Sequence, residues 1–322
     1  MKDIMTLSEL RNSELPEPIP LVEGILHQGE TVLVVGRPKM GKSRLVQQLT
    51  ISLSRGEPFL GHGVPEPRKV LLVDLENRPA GVKKRFSKLS EPSEADQRIF
   101  IYAPDTLADE GINTSAVGIL RIGKMLESSE ADVLIIDTWR LFVTRDENKS
   151  EVIVDALKQL SSLRKKRPNL ALVIVHHLRK EKSESPLHLR SDPYAWVEGV
   201  SGHHALVSHV DACFGLEREG NDLIAFGGVA RNSVTSTQLL EEDIDTLRFE
   251  VANGEQAAKA VMTLKEKEFW GIAKEMKQFT FTALKEKAAT KNKKALSTML
   301  RKAEEHGILS RDDASYVVVV SN

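Results

Sequence analysis

Residues Gly36–Leu45 read GRPKMGKSRL, preceded by the apolar run TVLVV (31–35) and followed by VQQLTISLS (46–54). The segment GRPKMGKS fits G-x-x-x-x-G-K-[ST] without a gap and lies where that pattern functions, between a strand and a helix. Its glycines let the backbone wrap a phosphate chain with N–H groups, and the helix behind it turns its positive end toward the anion. On this reading Gly36, Arg37, Pro38, Lys39, Met40, Gly41, Lys42, Ser43 and Arg44 form the nucleotide cradle. Lys42 reaches the β- and γ-phosphates, and Ser43 is a ligand of Mg²⁺. The plainer reading, a Gly-rich turn with an exposed lysine, leaves the flanking strand and helix without a purpose.

Working outward, similar apolar runs recur: KVLLVDL (69–75), RIFIYAP (98–104), DVLIID (132–137) and LALVIVHH (170–177). They are continuously apolar rather than alternating, as strands buried on both faces are. Segments such as KSRLVQQLTISLSR and NKSEVIVDALKQLSSLRKK space their apolar residues as helices do. The expectation is an α/β domain with a mostly parallel sheet and flanking helices. A long polar loop, about 178–202, follows, and HHALVSHVDACFGLE, DLIAFGGVA and TLRFEVA then read as a helix or strand and antiparallel strands closing the sheet.

From Ala257 the chain turns Lys- and Ala-rich. AKAVMTLKEKEFWGIAKEM, TFTALKEKAA and NKKALSTMLRKAEEHGILS read as three helices, the third stopped by Gly307, and SYVVVV as a terminal strand. That order predicts a winged helix-turn-helix. The expected organisation is an N-terminal extension (1–17), an ATPase-type domain (18–253) and a winged-helix domain (257–322).

The 322 residues are 41% hydrophobic and 28% charged, a globular composition with no run long enough to span a bilayer. The first residues lack an apolar signal core, so the expected location is cytoplasmic. A single cysteine, Cys213, excludes an internal disulfide and a multi-cysteine zinc site, and reads as a small buried residue. The net charge of -1 divides unevenly: Gln256 to the end carries 13 Lys+Arg against 8 Asp+Glu, or +5, leaving -6 elsewhere. A nucleic-acid footprint outside a central channel therefore belongs to the C-terminus.

DVLIIDTWR ends a strand in Asp137, a carboxylate placed to hold Mg²⁺. Transfer of a phosphoryl group to water also needs a base. Thr138 follows Asp137, so the candidate is Glu76, after VLLVDL, because neighbouring strands open on one crevice; a surface glutamate is the alternative. VIVHHLRK ends the next strand with His176 and His177, and an imidazole there can donate to a γ-phosphate. With His203, His204 and His209 these invite a metal reading, but no spacing matches a zinc signature.

Phosphate loop, strand ending in ENRP, strand ending in DT and strand ending in HH, in that order, resemble the RecA-like ATPases, and among them the RepA-type hexameric replicative helicases of plasmids and mobile elements. The resemblance covers about residues 18–250. It implies that Glu76 is the catalytic base, Asp137 the Mg²⁺ carboxylate and His177 the phosphate sensor. ENRPAGVKKRF is similar to the stretch whose arginine stacks on adenine, which would be Arg85; an exposed helical arginine is the equal alternative. Where that family places an arginine finger, VSGHH offers Ser201. The later VARNS supplies Arg231 for a basic residue reaching the neighbouring subunit's nucleotide, with Ser233 where a second is expected and Arg190 as a substitute.

These residues lead to an expected Mg²⁺-dependent, ATP-hydrolysing homo-oligomer, a ring or hexamer, acting on DNA. Arg179, Lys180, Lys182 and Arg190 of the long loop would face single-stranded DNA, and the helix begun by Lys291, Asn292, Lys293 and Lys294 would meet duplex or a protein partner. Two other expectations stand beside it: a DNA-binding regulatory ATPase or loader that does not unwind, and a small-molecule kinase, which would need an arginine-rich lid.

Overall fold

A computed structural model describes residues 4–14, 18–105, 111–179, 188–202, 204–219, 223–231, 233–253, 264–287, 293–305, 309–312 and 315–318. Lys180, Lys182, His203, Lys291, Asn292 and Gly307 lie outside the described residues.

The chain opens with helix α1 (Leu7–Arg11), the small hairpin β1 (Pro20–Val22) and β2 (Leu26–His27), and strand β3 (Thr31–Gly36). Next come α2 (Lys42–Arg55), β4 (Val70–Asp74), α3 (Pro79–Leu89), β5 (Ile99–Tyr102), α4 (Ala116–Ser129) and β6 (Val133–Asp137). They are followed by α5 (Trp139–Phe142), α6 (Ser150–Leu163), β7 (Ala171–His177), α7 (Pro193–Val197) and α8 (Ala205–Ser208). Strands β8 (Ala212–Glu219), β9 (Leu223–Ala230), β10 (Ser233–Glu242) and β11 (Phe249–Val251) complete one sheet.

Its nine strands run in the order β11-β10-β9-β8-β3-β7-β6-β4-β5. From β8 to β5 every pairing is parallel, and β9, β10 and β11 add antiparallel. Alternate residues of the apolar runs serve opposite faces, which is why the runs are continuous. Val32, Val34, Leu72 and Val173 pack with Leu45, Val46, Leu49 and Leu53 of α2 on one face. Leu33, Val35, Leu71 and Leu172 pack on the other face with Ile122 and Leu126 of α4 and Ile153, Leu157 and Leu160 of α6.

The expected parallel strands and the closing antiparallel ones are present. The sequence reading missed β10, whose segment SVTSTQLLEE is held by its neighbours β9 and β11 rather than by an apolar run of its own. Cys213 is buried, 1% exposed, and burial pushes its thiol up to about 12.

The C-terminal elements are α9 (Leu264–Met276), β12 (Gln278–Thr280), α10 (Phe281–Lys287), α11 (Lys293–Glu305), β13 (Leu309–Asp312) and β14 (Ser315–Val318). The three expected helices are there, but the single terminal strand is corrected to a three-stranded antiparallel sheet, order β12-β14-β13. Phe279 of β12 and Leu309 of β13 supply the apolar contacts that hold these short strands, with Trp270, Leu284, Leu296 and Leu300 from the helices. QFT and LSRD are too short for their pattern to show in sequence.

Candidate functional site

The phosphate loop leaves the carboxyl end of β3 at Gly36, at the centre of the sheet. Arg37, Pro38 and Lys39 form its exposed crest, and Met40 turns back into the core. The chain takes left-handed backbone at Lys39 (φ 66) and Gly41 (φ 86) before entering α2. Gly41 has no substitute here, since a Cβ would come within 2.6 Å of the Phe249 ring. The loop opens on a cleft of about 360 Å³ lined by Lys42, Ser43, Arg44, Glu76, Asn77, Arg85 and His177, together with Pro38, Lys39 and Gly41.

Lys42 is buried at the floor of this cleft. Its Nζ donates to the carbonyls of Gly36 (2.9 Å) and Arg37 (3.0 Å) and lies 3.1 Å from Nδ1 of His177. Burial lowers its pKa, against the opposing pull of Asp137 and Glu76. Those carbonyls draw the ammonium back along the loop.

Asp137 closes β6 in register with Asp74 of β4. Among the described residues neither of its carboxylate oxygens has a hydrogen-bond partner of good geometry, although the Ser43 hydroxyl stands close enough to lower its pKa. Burial first, and then the charge of Asp74, push its pKa up to about 7, while the nearby Ser43 hydroxyl and Lys42 pull it down. A buried carboxylate without a well-formed hydrogen bond, beside a serine hydroxyl, is costly for the protein alone and matches the oxygen ligands that a hard divalent cation takes. Ser43 and Asp137 thus fit the Mg²⁺ expectation by their chemistry.

Asp74 is a functional candidate that the sequence reading passed over, although it stands in the quoted VLLVDL. Its Oδ1 accepts from the backbone N–H of Glu76 (3.1 Å) and Asn77 (2.9 Å), and Asn77 Nδ2 bridges both oxygens. Burial raises its pKa against those bonds. Asn77 Oδ1 in turn accepts from Nη2 of Arg85 (2.9 Å). The turn that carries Glu76 is therefore clamped from below, with its own side chain exposed at the rim. Arg85 is brought to the same cleft, but on the Glu76 side.

His177 and His176 end β7, and burial drops both to about 4, so both are neutral at pH 7. With Lys42 donating to Nδ1, the proton of His177 sits on Nε2, which makes it a donor on the cleft wall. His176 points away: its Nε2 donates to the Ser201 carbonyl (3.1 Å), and Glu147 lies 3.9 Å from the ring. Ser201 donates its backbone N–H to the His177 carbonyl (2.9 Å), so this segment is stitched to β7. Among the described residues no group of three or more His, Cys, Asp or Glu side chains is placed to hold a metal.

Other expected residues lie elsewhere. Arg231 pairs with Asp211 (3.2 Å) next to the first residue of β8, at the amino end of the sheet, opposite the phosphate loop. Arg179, exposed, donates from Nε and Nη2 to the carbonyls of Val200 (3.0 Å) and Gly202 (2.9 Å). Arg190 lies 3.7 Å from Glu219.

A family profile described as an AAA domain matches residues 2–183. No curated protein matches the chain. Among solved structures, one described as an ATPase domain is similar with a TM-score of 0.50 at 13% identity, covering 70% of this chain and 85% of that one. A KaiC-like protein, PH0186, from the hyperthermophilic archaeon Pyrococcus horikoshii OT3 gives 0.49 at 16% identity, covering 72% and 94%. At such identities the first likeness is one of fold, the RecA-like sheet with its flanking helices. Among the described residues, no helix is long and apolar enough to cross a membrane.

Proposed function

The chain belongs to the AAA domain family and is a P-loop ATPase of RecA-like fold, and from that premise we propose that it is a Mg²⁺-dependent, oligomeric ATPase acting on DNA, a helicase or helicase-like replication or recombination factor of a mobile element. The observation that carries the ATPase site is Asp137: a carboxylate with both oxygens buried and, among the described residues, without a well-formed hydrogen bond, next to the Ser43 hydroxyl and across from Lys42.

In this reading Ser43 and Asp137 hold Mg²⁺, which neutralises charge on the phosphates when bound. The N–H groups of the loop and Lys42 hold the β- and γ-phosphates. Glu76, exposed at the rim on a turn fixed by Asp74, takes the proton of the attacking water. His177 donates from Nε2 to the terminal phosphate and carries its presence to Ser201 through the bonds of β7. Arg85, held by Asn77 beside Glu76, lines the same cleft and is the arginine that would stack on the adenine. Arg231, on the opposite end of the sheet, reaches nucleotide only in a neighbouring subunit, which is why the reading requires an assembly.

Two surfaces support assembly. A groove of about 510 Å³ runs between α3 and the edge strand β5, floored by Val82, Phe86, Ile99 and Ile101. Helix α1 exposes Leu7 and Leu10, and Ile4 just before its N-cap is exposed as well. The DNA proposal leans on the C-terminal elements, whose order of helix, strand, two helices and hairpin we read as a winged helix, and on the +5 charge of that segment. The second reading, a DNA-responsive switch or loader that does not unwind, is favoured by Ser201, which stands where the resemblance expects an arginine and whose backbone is bound up with both histidines.

Measuring ATPase turnover beside strand displacement, with particle mass determined with and without single-stranded DNA, tests the proposal. A nucleotide-dependent ring with DNA-stimulated turnover and displacement supports the motor. Stimulated turnover without displacement supports the switch, and turnover in a monomer indifferent to DNA overturns both.

A further inference from the structure

His177, Asp137 and Glu76 all lie to one side of the phosphate loop. Strands β7, β6 and β4, which carry His177, Asp137 and Asp74, flank β3 on one side, with Glu76 just beyond β4; strands β8 to β11 flank it on the other. On that second flank stands Arg44, the residue after Ser43, which lines the same cleft. Its Nη1 is paired with Glu242, the last residue of β10, and its guanidinium lies 5.3 Å from the centroid of the Phe249 ring at the start of β11. The paired side chains are only 18% and 26% exposed.

The same hairpin end grips α2 at two further points. The Phe249 ring lies against the loop at Gly41. The Gln48 side chain accepts from the backbone N–H of Phe249 (2.8 Å) and donates to its carbonyl (2.8 Å). The end of β10 and the start of β11 are thereby latched to the first turns of the phosphate-binding helix, and the latch includes an arginine that faces the cleft.

A triphosphate whose terminal phosphate lies by Lys42, Asp137 and Glu76 must extend its other end away from them. Across the N-terminus of α2 that direction leads to Arg44. A phosphate oxygen and the Glu242 carboxylate would then compete for one guanidinium, both as charge-assisted acceptors. We propose that Arg44 exchanges Glu242 for the inner, α-phosphate of a bound nucleotide, so that filling the cleft unlatches the β10–β11 end. The inference rests on the nucleotide-binding reading above. Glu242 acts on it as a built-in competitor, and the unlatched segment is the last part of the sheet before the chain continues past Asn253.

Binding of the imido analogue of ATP with Mg²⁺, measured by calorimetry on the full chain, tests this. Glu242→Gln should tighten binding by about tenfold, the size of one charge-assisted contact. Arg44→Gln should weaken it by a similar factor, and the double variant should behave as Arg44→Gln alone, because the gain from removing Glu242 passes through Arg44. In the unsubstituted protein, amide hydrogen exchange across residues 239–251 should quicken on saturation with the analogue, a measurement that depends on no variant folding. Equal or weaker binding by Glu242→Gln, or unchanged or slower exchange across 239–251, overturns the exchange of partners while leaving the nucleotide site standing. Failure of the unsubstituted protein to bind the analogue overturns both.

Discussion

The two ends of the nine-stranded sheet treat charge in opposite ways. At the amino end, Arg164 donates from Nε to the Leu170 carbonyl (2.9 Å) and from Nη2 to the Thr31 hydroxyl (2.9 Å) and the Glu30 carbonyl. Asp211 there accepts from the Thr31 N–H (2.8 Å) and pairs with Arg231. At the carboxyl end, Asp137 is more deeply buried and, among the described residues, has no well-formed hydrogen bond to either oxygen, while Lys42 is held by backbone carbonyls and a neutral imidazole. Both ends bury charge, which costs free energy when left uncompensated. The end that leaves the cost standing is the one shaped for a ligand that carries the missing charges.

The sharpest way to break this contrast is to remove Lys42. Lys42→Ala should lower nucleotide affinity beyond detection and abolish turnover; normal hydrolysis by that variant would move the site elsewhere. Glu76→Gln should separate the two functions of the cleft, keeping nucleotide binding within a few-fold while turnover falls by about 10²–10⁴, the usual contribution of a general base. Unchanged turnover would hand the role to another group, with Asp74 excluded because its oxygens are committed to Glu76 and Asn77.

How much of this was legible in the sequence follows from what is local. The loop GRPKMGKS carries its meaning within eight residues and is attached to its own strand and helix, so Lys42 and Ser43 could be put forward before any fold was known, and the fold brings both to one cleft. Asp137 and His177 each end an apolar run, and a parallel sheet gathers the ends of its strands on one crest. Asp74 also ends such a run, yet the turn it clamps becomes visible only when Asn77 and Arg85 fold back over it. Glu242 and Phe249 were out of reach: they lie about two hundred residues from Arg44 and Gln48 in the chain, and no motif encodes that long-range pairing. Arg231 is a motif-like position that the fold keeps out of its own subunit's cleft, paired with Asp211 at the amino end of the sheet, as a residue expected to act on a neighbouring subunit's nucleotide would be.

At the amino end the contrast predicts a loss of stability without a loss of chemistry. Arg164→Met keeps much of the aliphatic stem but leaves the carbonyls of Glu30 and Leu170 and the Thr31 hydroxyl without their donor. The expected cost is about 1–3 kcal/mol, read as a lower denaturation midpoint. ATPase turnover per folded molecule should stay within about twofold of the parent. A large drop in turnover at full folding would mean that the two ends are coupled through β3, and the comparison would have to be redrawn.

The smallest effect, and the most direct reading of unpaired charge, is the dependence of stability on pH. His176 and His177 fall from 6.5 to about 4 on folding, so the stability they contribute is present above 6.5 and lost as pH drops through 4. Asp137 rises from 3.8 to about 7, so its contribution is present below 3.8 and lost as pH climbs through 7. Between about 4 and 6.5 the unfolded chain holds two imidazole protons that the fold rejects, while the fold holds one carboxyl proton that the unfolded chain has released. The balance is one proton in favour of the unfolded state, so stability should rise with pH by no more than about 1.4 kcal/mol per unit. The slope should be shallower in practice because His177 is half exposed. Asp137→Asn removes the opposing proton and should steepen the acid limb of a melting-temperature profile taken without Mg²⁺, whereas His176→Gln should flatten it. A profile that ignores Asp137→Asn would mean that the carboxylate finds a partner in solution, and the carboxyl end of the sheet would then be no less satisfied than the amino end.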